Sequence, residues 1–350
     1  MSPRRPLNFR HALLILLLLL IAWVFWKTSV VWLAAYLAVA FTVTLTWLAD
    51  LVKDRFGWRY GWSLAAVVTV IVLLVAGVGL WMGPALIEQG AALTQRLPEA
   101  VEQGRGWLEQ REWGATLLEQ WNKFSQQMQS GSLLPKVTSY LGSAVGAAGG
   151  ILAVIAITIF FAATPNLYVK GVMSLVPPGH VVRIRKVLRA IAVALRWWVL
   201  GRLISMTIVG VFTGLGLMLV DVPLPWVLGF LAGALSFVPN LGPIVAMVPG
   251  VLLAATEGPE KIFWAIGIYV GVQLIESNAI TPIVERYAVS VPPALLLIVQ
   301  LALGMLFGIM GLIVATPLMV AVIVSIQMLY VEDRLGRDVE VMGQHESKDD

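Results

Sequence analysis

The sequence predicts an all-α, polytopic membrane protein of about seven to nine membrane segments, two of them helical hairpins, with an external amphipathic helical segment. Three observations predict it. Of 350 residues, 59% are hydrophobic and 13% charged, about half the charged share of a typical soluble domain. The runs Ala12–Trp26, Val30–Leu48, Ser63–Met82, Gly149–Ala163 and Leu203–Val220 are each nearly free of charge, and roughly 20 such residues suffice to cross a bilayer. Two later apolar stretches are interrupted by polar, helix-breaking segments, Ser236–Pro243 and Glu276–Pro282. Lipid offers no hydrogen bonds to a broken backbone, so such breaks persist only inside protein or beside a water-filled cavity.

Taken in order, the elements follow from hydropathy and the placement of basic residues. Arg4, Arg5 and Arg10 precede the first run and place the N-terminus in the cytoplasm. That run ends in Trp23-Val24-Phe25-Trp26, a poor small-residue cleavage site, so the first helix is expected to stay. The second returns to Lys53, Arg55 and Arg59, and the third exits near Met82. Residues 83–143 are then external. Within them Leu117, Leu118, Trp121, Phe124 and Met128 recur at helical spacing, with Glu119, Lys123 and Gln127 on other faces. The fourth helix leads back to a strongly basic stretch containing Lys170, Arg183, Arg185, Lys186, Arg189 and Arg196. There Val181–Trp198 has the pattern of an interfacial helix, and Arg202 at the start of the fifth membrane helix reads as a snorkelling residue.

Beyond Asp221-Val222-Pro223 the pattern changes. Trp226–Phe237 and Ile244–Ala255 are each about half the length of a spanning helix and are joined by Pro239-Asn240-Leu241-Gly242-Pro243, which describes a short hairpin. Ile262–Ile275 re-enters the membrane and runs into the second break. Ala294–Tyr330 is too long for one span and carries Gly304, Gly308, Gly311 and Pro317, so a second hairpin is expected, with the C-terminus cytoplasmic. Five regions result: a three-helix region (1–82), the external segment (83–143), the fourth helix with the basic interfacial helix (144–202), a core with hairpins (203–330) and a polar tail (331–350).

Several function classes fall away. The chain has no cysteine, so no disulfide or thiolate chemistry is available. His11, His180 and His345 are scattered without metal-ligand spacing. No phosphate-binding Gly-rich motif appears. Neither an enzyme nor a cofactor is expected. The net charge of +4 sits near membrane edges, which points to anionic lipid rather than nucleic acid.

The run Gly214–Pro223, continuing through Leu228–Pro239 and Gly242-Pro243, resembles the AI-2E family of bacterial exporters. So do Gln273–Pro282 followed by Val289–Pro292, and Phe307–Pro317. The resemblance implies a multispanning inner-membrane transporter that works as a homo-oligomer, a pentamer, and exports small molecules, the quorum-sensing signal autoinducer-2 among them. Other relatives are described as Na⁺(Li⁺)/H⁺ antiporters, which stands as the alternative; a non-transporting scaffold is a third reading. Asp221 stands where the family more often has glycine.

Candidate residues follow from the breaks. Glu276 is an acid inside an apolar run, the kind of intramembrane group that carries protons or sodium or satisfies a broken helix; Arg286 could pair with it, although Glu285 is the simpler neighbour for Arg286. Asn278, Thr281 and Pro282 flank it, and Asn278 and Thr281 could cap backbone or hold a polar ligand. In the first break Asn240 has the same two readings, and Gly242-Pro243 could open a half-helix aimed at a ligand. Asp221 could meet cations or merely be solvated. Gln273 and Gln300 read as interhelical hydrogen-bonding groups.

Overall fold

The computed structural model describes residues 9–109, 144–280 and 291–337. Those residues form helices and turns, with no strand among them. The chain is an all-α, polytopic membrane protein. Among the described residues, five helices are long and apolar enough to cross a membrane, or six when one bent pair is counted as a span. Their outward faces carry large exposed apolar side chains such as Leu74, Phe160, Phe263 and Met305, the surface expected against lipid. The amphipathic positions Leu117, Leu118, Trp121, Phe124 and Met128 lie outside the described residues, as do Thr281, Pro282 and Arg286.

Helix α1 spans Phe9–Lys27 and α2 spans Ser29–Phe56. Gly57 ends α2 with φ 68, the left-handed conformation a residue with a Cβ rarely adopts, and its N–H donates to the Lys53 carbonyl at 2.8 Å. Helix α3, Tyr60–Glu109, is 50 residues long, about 75 Å at 1.5 Å per residue. It passes Met82 without a break, so the third membrane helix continues directly into the segment expected outside. Leu45, Ala49, Leu64, Val67 and Ala162 pack α2, α3 and α4 (Ala144–Ala163) together. Pro165 opens α5 (Pro165–Ser174) at 81° to α4. The bend falls at Thr164, because the residue before a proline is pushed out of the helical region.

Helix α6, Val181–Leu219, is one continuous element of 39 residues. The expected interfacial helix and the following membrane helix are therefore a single rod. No proline stands between them, the helix absorbs Gly201 as a buried residue, and about 58 Å of helix carries the basic turns at one end and an apolar span at the other. Its basic end is tied to the far end of the chain: Arg183 lies 3.0 Å from Glu332 and 2.9 Å from Asp333, and donates to the Met328 carbonyl at 2.6 Å.

Helices α7 (Pro225–Leu235) and α8 (Leu241–Thr256) form the first hairpin, and α9 (Pro259–Ile275) follows. Helix α7 lies backbone-to-backbone on α6. A Cβ built on Gly229 would stand 2.6 Å from the Gly210 carbonyl oxygen, and one on Gly233 2.6 Å from that of Met206; small residues permit such close packing in membranes. Val209, Leu217, Leu228, Ala232, Ala246, Leu253 and Tyr269 close the core of this region.

Helix α10, Pro293–Ile326, contains the second hairpin. At Gly308 the backbone turns to φ 63, ψ −144. Across it a Cβ on Gly304 would meet Leu312 Cδ2 at 2.8 Å, and one on Gly311 would overlap the Leu303 carbonyl. Residues eight apart in a straight helix are about 12 Å apart along the axis, so these contacts require the chain to double back. Val320, Val324 and Met328 of the returning leg pack on Ala40 and on Val187, Ala194 and Trp198 of α6.

Candidate functional site

The second break does not unwind into a loop at its start. Residues Glu276–Ile280 continue α9 as a wide π-helical turn, a distortion found disproportionately at functional sites. Its first residue, Glu276, has a side chain only 10% exposed and faces α6. Ser205 Oγ donates to Glu276 Oε1 at 2.7 Å, and Gln273 Nε2 donates to Oε2 at 3.0 Å. Arg202 Nη1 lies 3.5 Å from Oε1.

Arg202 is the pivot of the arrangement. Besides Glu276 it reaches the first break, donating from Nε to the Phe237 carbonyl at 3.0 Å and from Nη2 to the Ser236 carbonyl. Those carbonyls follow the C-terminus of α7, where acceptors lack intrahelical partners and the helix dipole favours a cation. The expectation that Arg202 snorkels to an interface is corrected: its side chain is 12% exposed and turned inward. Because α6 is continuous through this point, the residue is carried past the basic turns and into the core. On the other flank of the first break, Gln300 Nε2 donates to the Pro239 carbonyl at 3.1 Å. The tip of the first hairpin is thus gripped by α6 on one side and α10 on the other.

The other sequence-derived candidates are placed as follows. Gly242 is buried in the hairpin tip, where a Cβ would overlap the Leu235 carbonyl; Pro243 is half-buried behind it. Asn240 is exposed, with φ 65, and makes no side-chain cap. Asn278 is exposed and donates to the Leu274 carbonyl at 2.8 Å, satisfying its own helix. Asp221 lies at the opposite end of α6, on the order of 25 Å from Arg202, exposed and 3.7 Å from Lys261. Thr281 and Pro282 lie outside the described residues. Gln273 bonds within its own helix, to Glu276 and Ser277, rather than across to another.

Ser205 and Arg202 went unrecognised as site residues in the sequence. The readable signal was their spacing, three apart in an unbroken helix, which places both on one face. Elsewhere, Thr213 Oγ1 on α6 and the Tyr269 hydroxyl, which lies against Gly250 of α8, are each buried and make no hydrogen bond. Tyr269→Phe is therefore expected to keep or raise thermal stability, by up to about 1 kcal/mol, since it deletes an unsatisfied buried group. A clear fall in the unfolding temperature of the purified protein would contradict that reading.

The profile of the AI-2E family transporter matches residues 13–330. The chain belongs to the AI-2E transporter family. Three similar proteins carry provisional transport names. YrrI of Bacillus subtilis (strain 168) is 25% identical over 327 residues, covering 86% of this chain and 90% of that protein. YueF of the same strain is 24% identical over 273 residues, covering 73% of each. A Thermotoga maritima protein is 26% identical over 190 residues, covering 54% of this chain and 57% of its own length. A transport function in a multi-pass membrane protein follows.

In this AI-2E transporter the two breaks share one guanidinium. Arginine stays charged at any physiological pH, so the chemistry available is an exchange of partners. An anionic or polar group arriving at the site would compete with the carboxylate for the same N–H donors.

Proposed function

We propose that the protein is a secondary transporter exporting a small polar solute, of the autoinducer-2 type, across the bacterial inner membrane, with both termini cytoplasmic and the working unit a homo-oligomer. The observation that carries the transport mechanism is the contact of Arg202 with both breaks: Ser236 and Phe237 in one, Glu276 in the other. A residue bonded to two discontinuous segments can couple the movement of one to the state of the other. Broken segments of this kind are where transporters bind their cargo. Glu276, the acid of that contact, is the residue assigned to coupling with an ion gradient.

The antiporter alternative has less support. A cation at Glu276 would have to sit beside Arg202, 3.5 Å from the same carboxylate oxygen, and Asp221 is exposed next to Lys261. The experiment is solute flux in proteoliposomes with and without a pH gradient, wild type against Glu276→Gln. The variant keeps the side-chain size but removes a charge-assisted contact of about 1.5–3 kcal/mol, so gradient-driven flux should fall about tenfold or more. Equal flux in the two proteins would remove the basis of the proposal. A pH change driven by Na⁺ or Li⁺ without organic solute would favour antiport.

A further inference from the structure

We propose that Gln300 and Thr316 form an uncharged subsite that takes a hydroxyl group of a neutral, polyhydroxylated portion of the solute, at the tip of the first hairpin. The proposal rests on the reading of the protein as a carrier of small polar solutes. Three observations lead to it.

The first is position. Gly304 and Leu312 meet across the Gly308 turn. One helical turn farther from it on each leg stand Gln300 and Thr316, brought level on facing sides of the second hairpin. The second is satisfaction. Gln300 is 0% and Thr316 6% exposed, yet Gln300 Oε1 and Thr316 Oγ1 have no hydrogen-bond partner. A threonine in a helix can donate to the carbonyl four residues back; this one does not. Buried oxygens are rarely left unpaired, and two on one seam mark a place for a polar group.

The third is orientation. Gln300 Nε2 donates to the Pro239 carbonyl at 3.1 Å. That bond assigns the amide, because the reverse placement would oppose two acceptors. The free Oε1 can only accept, whereas the threonine hydroxyl can do both. A hydroxyl group satisfies the pair, donating to Oε1 and accepting from Oγ1–H. The groups that form the subsite carry no charge, which suits a neutral moiety. Pro239 is three residues from Ser236, where Arg202 binds the same tip, at most about 11 Å of chain. A small solute could present a polar group to Arg202 and a hydroxyl to Gln300 and Thr316 together.

The native chain has no cysteine, so Thr316→Cys carries a single thiol. In membrane vesicles it is treated with the water-soluble reagent methanethiosulfonate-ethylammonium, beside Val320→Cys, one turn away and 1% exposed. Because only a hydrated thiolate reacts, Thr316→Cys should label about tenfold faster than the control. Ribose should at least halve that rate, and tetrahydrofuran, a ring of similar size without hydroxyls, should not. If Thr316→Cys fails to assemble, ribose should raise the unfolding temperature of the wild type but not of Thr316→Val. Labelling no faster than Val320→Cys, equal effects of ribose and tetrahydrofuran, or equal stabilisation of wild type and Thr316→Val would overturn the subsite. None of these readouts depends on Glu276-coupled flux, so the subsite can fail while the transport proposal stands, and the reverse.

Discussion

Arg202→Met should unseat both broken segments at once. The substitution keeps a long, apolar stem but removes the donors to the Ser236 and Phe237 carbonyls and the positive charge beside Glu276. Breaking a buried pair from one side leaves an uncompensated charge and costs about 3–5 kcal/mol. A marked drop in the unfolding temperature of the purified protein is expected, and solute flux should fall to background. Arg202→Lys should be intermediate, because an ammonium retains the charge but cannot fork to two carbonyls and a carboxylate in one plane. Arg202→Met combined with Glu276→Gln should recover part of the lost stability, since the orphaned carboxylate is gone. An Arg202→Met protein as stable as the wild type would show that the guanidinium does not hold the hairpin tip.

Gly242→Ala should be the most damaging single methyl in the first hairpin. A Cβ at Gly242 would overlap the Leu235 carbonyl and lie 3.1 Å from the Ser236 amide nitrogen. Both are backbone atoms of the opposing strand of the turn, so relief requires opening the hairpin rather than rotating a side chain. The cost belongs at or above the top of the usual overpacking range of about 1–3 kcal/mol. The opposite sign is expected for Gly267→Ala in α9, where nothing lies within 4 Å of the added Cβ; there the alanine should stabilise by roughly 0.5–1 kcal/mol through helix propensity. Thermal unfolding of the two variants beside wild type tests the contrast. If both move in the same direction, the close approach at Gly242 is not what shapes the tip.

The fold was legible where hydropathy and breakers are strong. Proline and glycine at 239–243 marked the first hairpin, and a stretch too long for one span with three glycines marked the second. Gly308 proved to be the turning point. Less legible was how far helices run past the apolar core. Helix α3 crosses the boundary at residue 82 even though Gly83-Pro84 follows it, and α6 crosses the one at 202 through Gly201, so the local breaker signal there was overridden. That continuity is also why Arg202 was misread. Its neighbours in sequence are basic and interfacial, whereas its neighbours in space come from residues 236, 237 and 276.

By itself the sequence determined the class of molecule, the location of both breaks, the acid within the second and the family. Each is a local property, written in runs of apolar residues and in the residues that interrupt them. Only the tertiary structure decided that one arginine holds both breaks, that Gln300 grips the hairpin tip, and that Asn278 and Asp221 stand apart from Glu276. The first two of those facts depend on contacts of hydrogen-bond length between groups 34 to 74 residues apart. Hydrogen bonds and charge pairing act over such distances in space, and no local pattern along the chain encodes them.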